Sequence, residues 1–361
     1  MPSNANLGAI VVGTNFGVLT HAQALRAAGF EVHGLVGRDL EKTRERAAWA
    51  NIPAGLTSLS EALALPGVDA VAISTPPHTH AEIALAAIAA GKHVVCEKPF
   101  AHDLSEARKM LEAAKAAGIV HILGHEHRFD VQQSLAYQAM REGVIGQPRM
   151  MTHIMELPMF ADAKTEVPDW WGDASEGGGW LGANGIHMID LARNLMGEIT
   201  GVSASLCTLS SHGWTAEDSF SIHFTTKTGG GLLQSSISDM APPLFATRVA
   251  GTKGALWIDA PHVWVADASG TRELEPGPDL AHRDVAEKPH DYVKTTYDQL
   301  CASANAIGPY TCLYETFRDR IRGVEPAHPT QPATFEDAVI GQRILDAVRE
   351  SDRVEGWVAL D

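Results

Sequence analysis

Apolar positions in the first third of the chain come in short unbroken runs separated by longer amphipathic stretches. Gly8–Val12, Glu31–Val36, Val68–Ser74, His93–Cys96 and Ile119–Gly124 each read as a strand, apolar enough to be buried on both faces. Between them, Val18–Ala28, the stretch from Asp39 to Ala50, Ser58–Leu65, Thr79–Gly91 and Asp103–Ala117 carry helical spacing. Asp39, Ser58 with Glu61, Thr79 with Glu82, and Asp103 with Glu106 are N-cap signals, and Gly29 closes the first helix. Strands alternating with helices over such short connections predict parallel strands and right-handed crossovers. Residues 1–124 therefore read as a doubly wound α/β sheet.

The pattern changes after Asp130. A helix over Val131–Arg141 leads into a strand over Pro148–Leu157, a loop rich in Trp and Gly, and a helix over Gly185–Met196. Then come Gly201–Leu209, Asp218–Thr226, Gly231–Asp239, Thr247–Ala250, Ala255–Asp259 and His262–Ala266, joined by hairpin-sized, Gly-rich connections. This spacing predicts a second domain, 125–361, of α+β type with a mainly antiparallel open sheet. Helices return at Tyr292–Ala304, Cys312–Arg322 and Phe335–Ser351, the last expected to pack back on the first domain, and Glu275–Pro289 reads as loop.

At 361 residues, two domains suit the length, and 45% hydrophobic with 20% charged residues is globular composition. The formal net charge of -16 repels polyphosphate, which argues against nucleic acid or an anionic membrane as partner. One small anionic cofactor in a local cradle remains compatible with it. No apolar run approaches the roughly 20 residues of a spanning helix, and the N-terminal residues lack a secretory pattern. Cys96, Cys207, Cys301 and Cys312 lie far apart without CxxC spacing. A soluble, cytoplasmic protein without a disulfide framework is expected.

Between the first strand and first helix lies Gly13-Thr14-Asn15-Phe16-Gly17, the place for a pyrophosphate, where turn amides and the helix N-terminus face the anion. It departs from GxGxxG: Asn15 and Val18 occupy the second and third glycine positions. A glycine-bearing turn without a ligand is the ordinary alternative. Cofactor choice falls at the end of the second strand, Leu35-Val36-Gly37-Arg38-Asp39. An NAD site places a carboxylate there; here Gly37 stands at that place, followed by Arg38, which suits a 2′-phosphate. NADP is favoured, with NAD bound through Asp39 after a one-residue shift as the competing reading.

Ligands of such sheets sit outside the carboxyl ends of the strands. Two ends are distinctive: Ser74-Thr75-Pro76-Pro77-His78-Thr79-His80 and Cys96-Glu97-Lys98-Pro99-Phe100. Lys98, on a turn before proline at the mouth of the sheet, can polarise a substrate hydroxyl or carbonyl. A surface ion pair is the common fate of a lysine.

Together, Thr75-Pro76-Pro77 with His80, Ala90-Gly91-Lys92-His93-Val94-Val95 before Glu97-Lys98-Pro99, Glu126-His127-Arg128-Phe129, and Gly177-Gly178-Gly179-Trp180-Leu181 with Gly185-Ile186-His187-Met188-Ile189-Asp190 resemble the glucose–fructose oxidoreductase/inositol dehydrogenase (Gfo/Idh/MocA) family. The resemblance runs to Pro332-Ala333-Thr334-Phe335-Glu336-Asp337 and spans nearly the whole chain. It implies an N-terminal Rossmann domain, a C-terminal α+β domain whose open sheet supports a homodimer or homotetramer, and hydride exchange between a nicotinamide and a carbinol carbon of a sugar, cyclitol or related ring. By the same resemblance Lys98 and His187 are catalytic, and Thr75, Pro76, His78, Glu97 and Glu126 touch the cofactor. The lysine would hold the reacting oxygen while the histidine takes the hydroxyl proton.

One position departs from the family pattern: Ala183 stands where many members carry Asp, one helical turn before the histidine. Asn184 and Asp190 are the candidate orienting groups in its place. Trp170, Trp171 and Trp180 cluster nearby in sequence; aromatic faces suit the C–H faces of a ring substrate, and loop anchoring is the equally ordinary alternative. Lys98, His187, Trp170, Trp171, Asn184, Arg128 and His153 form the expected substrate set. His125 and His127 share a strand face, but without a third ligand at convincing spacing no metal is expected. Two other readings stay open: a tightly held nicotinamide used as transient oxidant for epimerisation, elimination or glycoside cleavage, and a non-catalytic dinucleotide sensor.

Overall fold

The computed structural model describes residues 6–162, 164–280, 298–299 and 304–360. Among these the chain groups into two compact units, one drawn from Met1–Phe129 and His282–Val339, the other from Asp130–Ala281 and Ile340–Asp361.

In the first unit, β1 (Gly8–Val12), β2 (Glu31–Val36), β3 (Ala54–Leu56), β4 (Val68–Ile73), β5 (His93–Cys96) and β6 (His121–Leu123) form one sheet in the order β3-β2-β1-β4-β5-β6. Every pairing is parallel. The strands have no polar face because both faces are covered. Ala9 and Val11 enter one core, Ile10 and Val12 the other. Crossovers are a π-helical turn, Gly17–His21, continuing as α1 (Ala22–Ala27), then α2 (Leu40–Trp49), α3 (Leu59–Leu63), α4 (His80–Ala89) and α5 (Leu104–Ala117). Asp39, Ser58 and Asp103 cap their helices as expected, each side chain accepting a backbone N–H three residues on.

Two expectations are corrected, and strands appear that the sequence pattern did not show. Thr79 does not cap α4: the helix is entered through a turn at Pro77–Thr79, so Thr79 already has helical backbone and its hydroxyl bonds back to the Pro76 carbonyl at 2.8 Å. The strand β3 was not foreseen, because three residues paired on one side only leave no apolar run to read. The expected helix at Cys312–Arg322 spans Ala304–Ile321, with Pro309 inside it. Proline signals a break because it removes one helical hydrogen bond. The helix continues because Ile307, Tyr310, Leu313, Tyr314 and Phe317 form a face buried in the same core as Ala9 and Val11. Truncating one such aromatic to alanine costs about 3–5 kcal/mol, comparable to the proline penalty. The edge strand Gly270–Leu274 was also not foreseen beyond its turn. Of the expected Tyr292–Ala304 helix, most lies outside the described residues.

The second unit holds α6 (Val131–Arg141), α7 (Ile186–Met196) and nine strands: β7 (Pro148–Glu156), β8 (Ile199–Cys207), β9 (Ser219–Thr226), β10 (Gly230–Ser236), β11 (Leu244–Gly251), β12 (Gly254–Asp259), β13 (His262–Asp267), β14 (Gly270–Leu274) and β15 (Val358–Ala359). Their order is β14-β13-β12-β11-β7-β10-β9-β8-β15. All pairs are antiparallel except β7 with β10. The last long helix, Phe335–Val354, begins with Phe335 and Ala338 in the core of the first unit, and from Ile340 it groups with the second. There Ser351 and Asp352 accept the backbone N–H groups of Ala204 and Leu206. No described helix is long and apolar enough to cross a membrane. Cys96, Cys207 and Cys312 are free thiols.

Candidate active site

Between β1 and β4 the sheet order reverses direction, so the connections leaving their carboxyl ends diverge and open a crevice. Gly13 stands at its edge. Its N–H donates to the Val36 carbonyl at 2.9 Å, and its φ of +125° is closed to other residues. A Cβ there would strike the Ser74 carbonyl at the end of β4. The N–H groups of Val18 and Leu19 both return to the Asn15 carbonyl at 3.0 Å. The turn Thr14–Gly17 thus sits at a helix N-terminus facing the crevice, and Asn15 takes the place of the missing glycine without breaking the turn.

At the end of β2, a Cβ on Gly37 would run into the Thr14 and Thr43 side chains, so this position has no room for a carboxylate. Arg38 is exposed. The Asp39 carboxylate accepts the Lys42 N–H at 2.8 Å as the cap of α2.

The second strand-end loop is tied to the third by a histidine that sequence reasoning assigned no such role. His80 is fully buried, its Nε2 2.8 Å from the Thr75 carbonyl and its Nδ1 3.0 Å from the Pro99 carbonyl. Burial pushes its pKa below the usual histidine range. His78 is exposed on the same loop, and Pro76 is half-buried. The Lys98–Pro99 peptide is cis.

Beyond β5, Glu97 is 5% exposed while Lys98 is half-buried. The phenol of Tyr310 donates to Glu97 Oε1, and His21 Nε2 lies 3.2 Å from the same oxygen. The Lys98 N–H donates to Oε2 at 3.3 Å. On the other side of the His21 ring, Nδ1 is 2.6 Å from the Tyr314 hydroxyl. Phe16, from the turn after β1, packs edge-on against both His21 and Tyr310, with ring centroids 5.1 and 5.7 Å away. Burial alone would push the Glu97 carboxyl up; His21, Lys98 and Tyr310 together hold it below its ordinary value. Both tyrosines are pushed well above theirs, chiefly by burial, and so remain donors. Glu126, also buried, goes the other way: burial raises it, the Glu97 charge adds to the rise, and His127 and Lys98 oppose it.

Arg128, expected among the substrate residues, donates to the Gln331 carbonyl and lies 3.3 Å from Asp337, both in the first unit.

In the second unit, His187 is 6% exposed, in the first turn of α7. That helix is entered through a π-helical turn, Leu181–Gly185. Its start is held by Glu217: the main-chain carbonyl accepts the Trp180 N–H at 2.8 Å and the carboxylate accepts the Leu181 N–H at 3.1 Å. Burial raises the Glu217 pKa. Asp190 is engaged on its own helix, 3.8 Å from Arg193 and accepting from Asn194 at 3.1 Å, while Asn184 donates to the Met155 sulfur at 3.8 Å.

Trp171 and Trp180 are buried and pack against each other. The Trp180 N–H donates to Ser235 at 2.7 Å, and Trp171 is edge-on to Phe160. These two behave as loop anchors, whereas Trp170 is half-buried. His153 on β7 pairs with Thr247 across the strand boundary at 2.8 Å.

His21, Tyr310, Tyr314 and Glu217 went unseen in the sequence. Only the i, i+4 spacing of the tyrosines on a helix face was available to find any of them.

A parallel sheet in the order 3-2-1-4-5-6 with a glycine turn at its switch point defines a dinucleotide-binding protein of the Rossmann class. More particularly, the chain belongs to the Gfo/Idh/MocA family: residues 7–125 match its oxidoreductase, NAD-binding Rossmann-fold model and residues 134–257 its C-terminal domain. Over 143 residues it is 38% identical to levoglucosan dehydrogenase from Pseudarthrobacter phenanthrenivorans, covering 40% of this chain and 37% of that one. Over 141 residues it is 42% identical to 1,5-anhydro-D-fructose reductase from Ensifer adhaerens, covering 37% and 41%. These alignments span less than half the length of either relative. A solved structure of levoglucosan dehydrogenase with NADH and levoglucosan shares the fold at a TM-score of 0.82, over 98% of this chain and 99% of that one, at 24% identity.

Proposed function

We propose that the protein is a nicotinamide-dependent dehydrogenase or reductase acting on a carbinol or carbonyl carbon of a sugar, cyclitol or related hydroxylated ring. The observation that carries this reading is the strand-end turn Glu97-Lys98-Pro99, with a locked buried carboxylate beside a half-buried ammonium, on a sheet of the NAD-binding family. The named relatives act on anhydro-sugars, which supports the substrate class.

Gly13 and the turn to Gly17 fit a pyrophosphate, and Thr75, Pro76 and His78 line the next loop toward the same cofactor. The bound nicotinamide supplies hydride exchange. Lys98 holds the reacting oxygen and stabilises negative charge on it, and His187 takes the hydroxyl proton during oxidation. Trp170, the more exposed of the tryptophan pair, offers a face to the ring, and Asn184, His153 and Arg128 complete the proposed substrate set. NADP is the preferred cofactor. Gly37 leaves no space for a ribose-binding carboxylate, Asp39 commits one carboxylate oxygen to the helix cap, and Arg38 is exposed for a 2′-phosphate.

A homodimer or homotetramer through the second sheet completes the proposal. The face bearing Met150, Thr152, His223 and Leu232 forms an open cavity of about 540 Å³, with Met150 58% exposed. Light scattering on the purified chain tests this; a monomer at micromolar concentration overturns it.

Stopped-flow absorbance at about 340 nm with candidate sugars tests the reaction. Net accumulation of reduced cofactor supports the reading. Turnover without accumulation marks a transient oxidant instead, and binding without redox change marks a sensor.

A further inference from the structure

The dehydrogenase reading leaves the elaborate burial of Glu97 unexplained, since holding a substrate oxygen requires only Lys98. A buried carboxylate normally protonates to escape the cost of desolvation. This one is kept ionised by side chains brought from distant parts of the sequence: His21 from the opening turn of the first helix, and Tyr310 from the helix Ala304–Ile321. The Tyr314 hydroxyl lies 2.6 Å from His21 Nδ1, His21 Nε2 lies 3.2 Å from Glu97 Oε1, and Tyr310 donates to the same carboxylate oxygen.

The topology says what this charge faces. In a 3-2-1-4-5-6 sheet the two nucleotide halves of a dinucleotide lie on either side of the switch between β1 and β4. On the dinucleotide reading Arg38, beyond β2, would hold the adenosine side, which would leave the ends of β4, β5 and β6 to the nicotinamide half. Glu97 follows β5 directly. An oxidised nicotinamide ring is a cation and a reduced one is neutral, so a fixed anion discriminates between them. Lys98 offsets part of that field, but it is half-buried and screened by water, whereas the carboxylate is 5% exposed. Among the described residues, the other titratable groups acting with it are Glu126, His80, Cys96 and Tyr314.

We propose that Glu97 is a redox-state selector, a fixed anion that makes the protein bind oxidised nicotinamide dinucleotide in preference to reduced, with His21 and Tyr310 as its positioning residues. This rests on the dinucleotide reading of the first unit. By the binding cycle, preference for the oxidised form makes the bound reduced form the stronger hydride donor, and so biases the bound couple toward carbonyl reduction, independent of which sugar is used.

The test is calorimetric titration of wild type, Glu97→Gln and Tyr310→Phe with NADP+, NADPH, NAD+ and NADH. For each protein it gives the ratio of the dissociation constants of the reduced and oxidised forms. Glu97→Gln should move that ratio toward the reduced form by about tenfold, and Tyr310→Phe should move it the same way by about threefold. Tyr310→Phe keeps the ring packing, so it stays informative if Glu97→Gln fails to fold. Equal weakening of both forms in the variants would mean the cluster only supports the fold, and would overturn the selector while leaving dinucleotide binding intact. Wild type binding none of the four would overturn the dinucleotide reading and the selector with it.

Discussion

The two units place their chemical groups by opposite means. In the first, Gly13, Arg38, Pro76 and Lys98 each lie within three residues of the end of a parallel strand, so the sheet largely fixes their backbone and the side chain remains to be positioned. In the second, His187 stands on a helix whose entry is a π-helical turn tied down by Glu217, 30 residues further along the chain, and flanked by a loop pinned through Trp180 to Ser235. The first arrangement is local in sequence and general to the fold. The second is assembled by long-range contacts, and its precision depends on loop packing. Groups on strand ends should therefore respond to substitution in chemistry alone, and groups held by loops in chemistry and stability together.

The largest effects are expected at the two proposed reacting groups. Lys98→Ala and His187→Ala should each lower turnover at least about a hundredfold, while cofactor titrations remain close to wild type. Near-normal turnover in either would remove that residue from the mechanism. Next, Arg38→Ala should raise the dissociation constant for NADPH by about tenfold and leave NADH nearly unchanged; equal changes would reject the 2′-phosphate assignment. Smaller still, Asp39→Ala should cost about 1 kcal/mol in denaturant unfolding through loss of a helix cap. It should leave NADH affinity intact, and a large loss of NADH affinity would return Asp39 to the ribose.

The pH dependence of stability sharpens the contrast within the first unit. Because the folded-state pKa of Glu97 is depressed, its contribution is present above the ordinary glutamate value and is lost as pH falls through the folded value. Glu126, raised by burial, has the opposite sign: its contribution is present at low pH and lost as pH rises through its folded value. Chemical denaturation from pH 3 upward should show a shallower acid limb in Glu97→Gln than in wild type. An unchanged acid limb would mean that the carboxylate is not held ionised by its partners.

The same division governs what could be read from the chain. The parallel sheet, its caps at Asp39, Ser58 and Asp103, and the glycine turn after β1 were legible because each depends on residues within a few positions of one another. The antiparallel sheet was legible from its glycine-rich hairpins, though not its edges β14 and β15, which are too short or too exposed to carry a pattern. Thr79 misled because a capping residue and a turn residue look alike until the entry geometry is known. Tyr310 was hidden by Pro309, which signals a break where tertiary packing sustains a helix. The partners of Glu97 come from positions 21 and 310, a separation over which no local pattern exists.

The central claim is that Lys98 and His187 serve one chemical step. A double-variant cycle in single-turnover kinetics tests it most directly, by comparing Lys98→Ala, His187→Ala and the combined variant with wild type. Groups acting on the same step are strongly non-additive, so the combined variant should be about as slow as the slower single variant. Losses that simply multiply would show the two residues acting independently and would contradict the account.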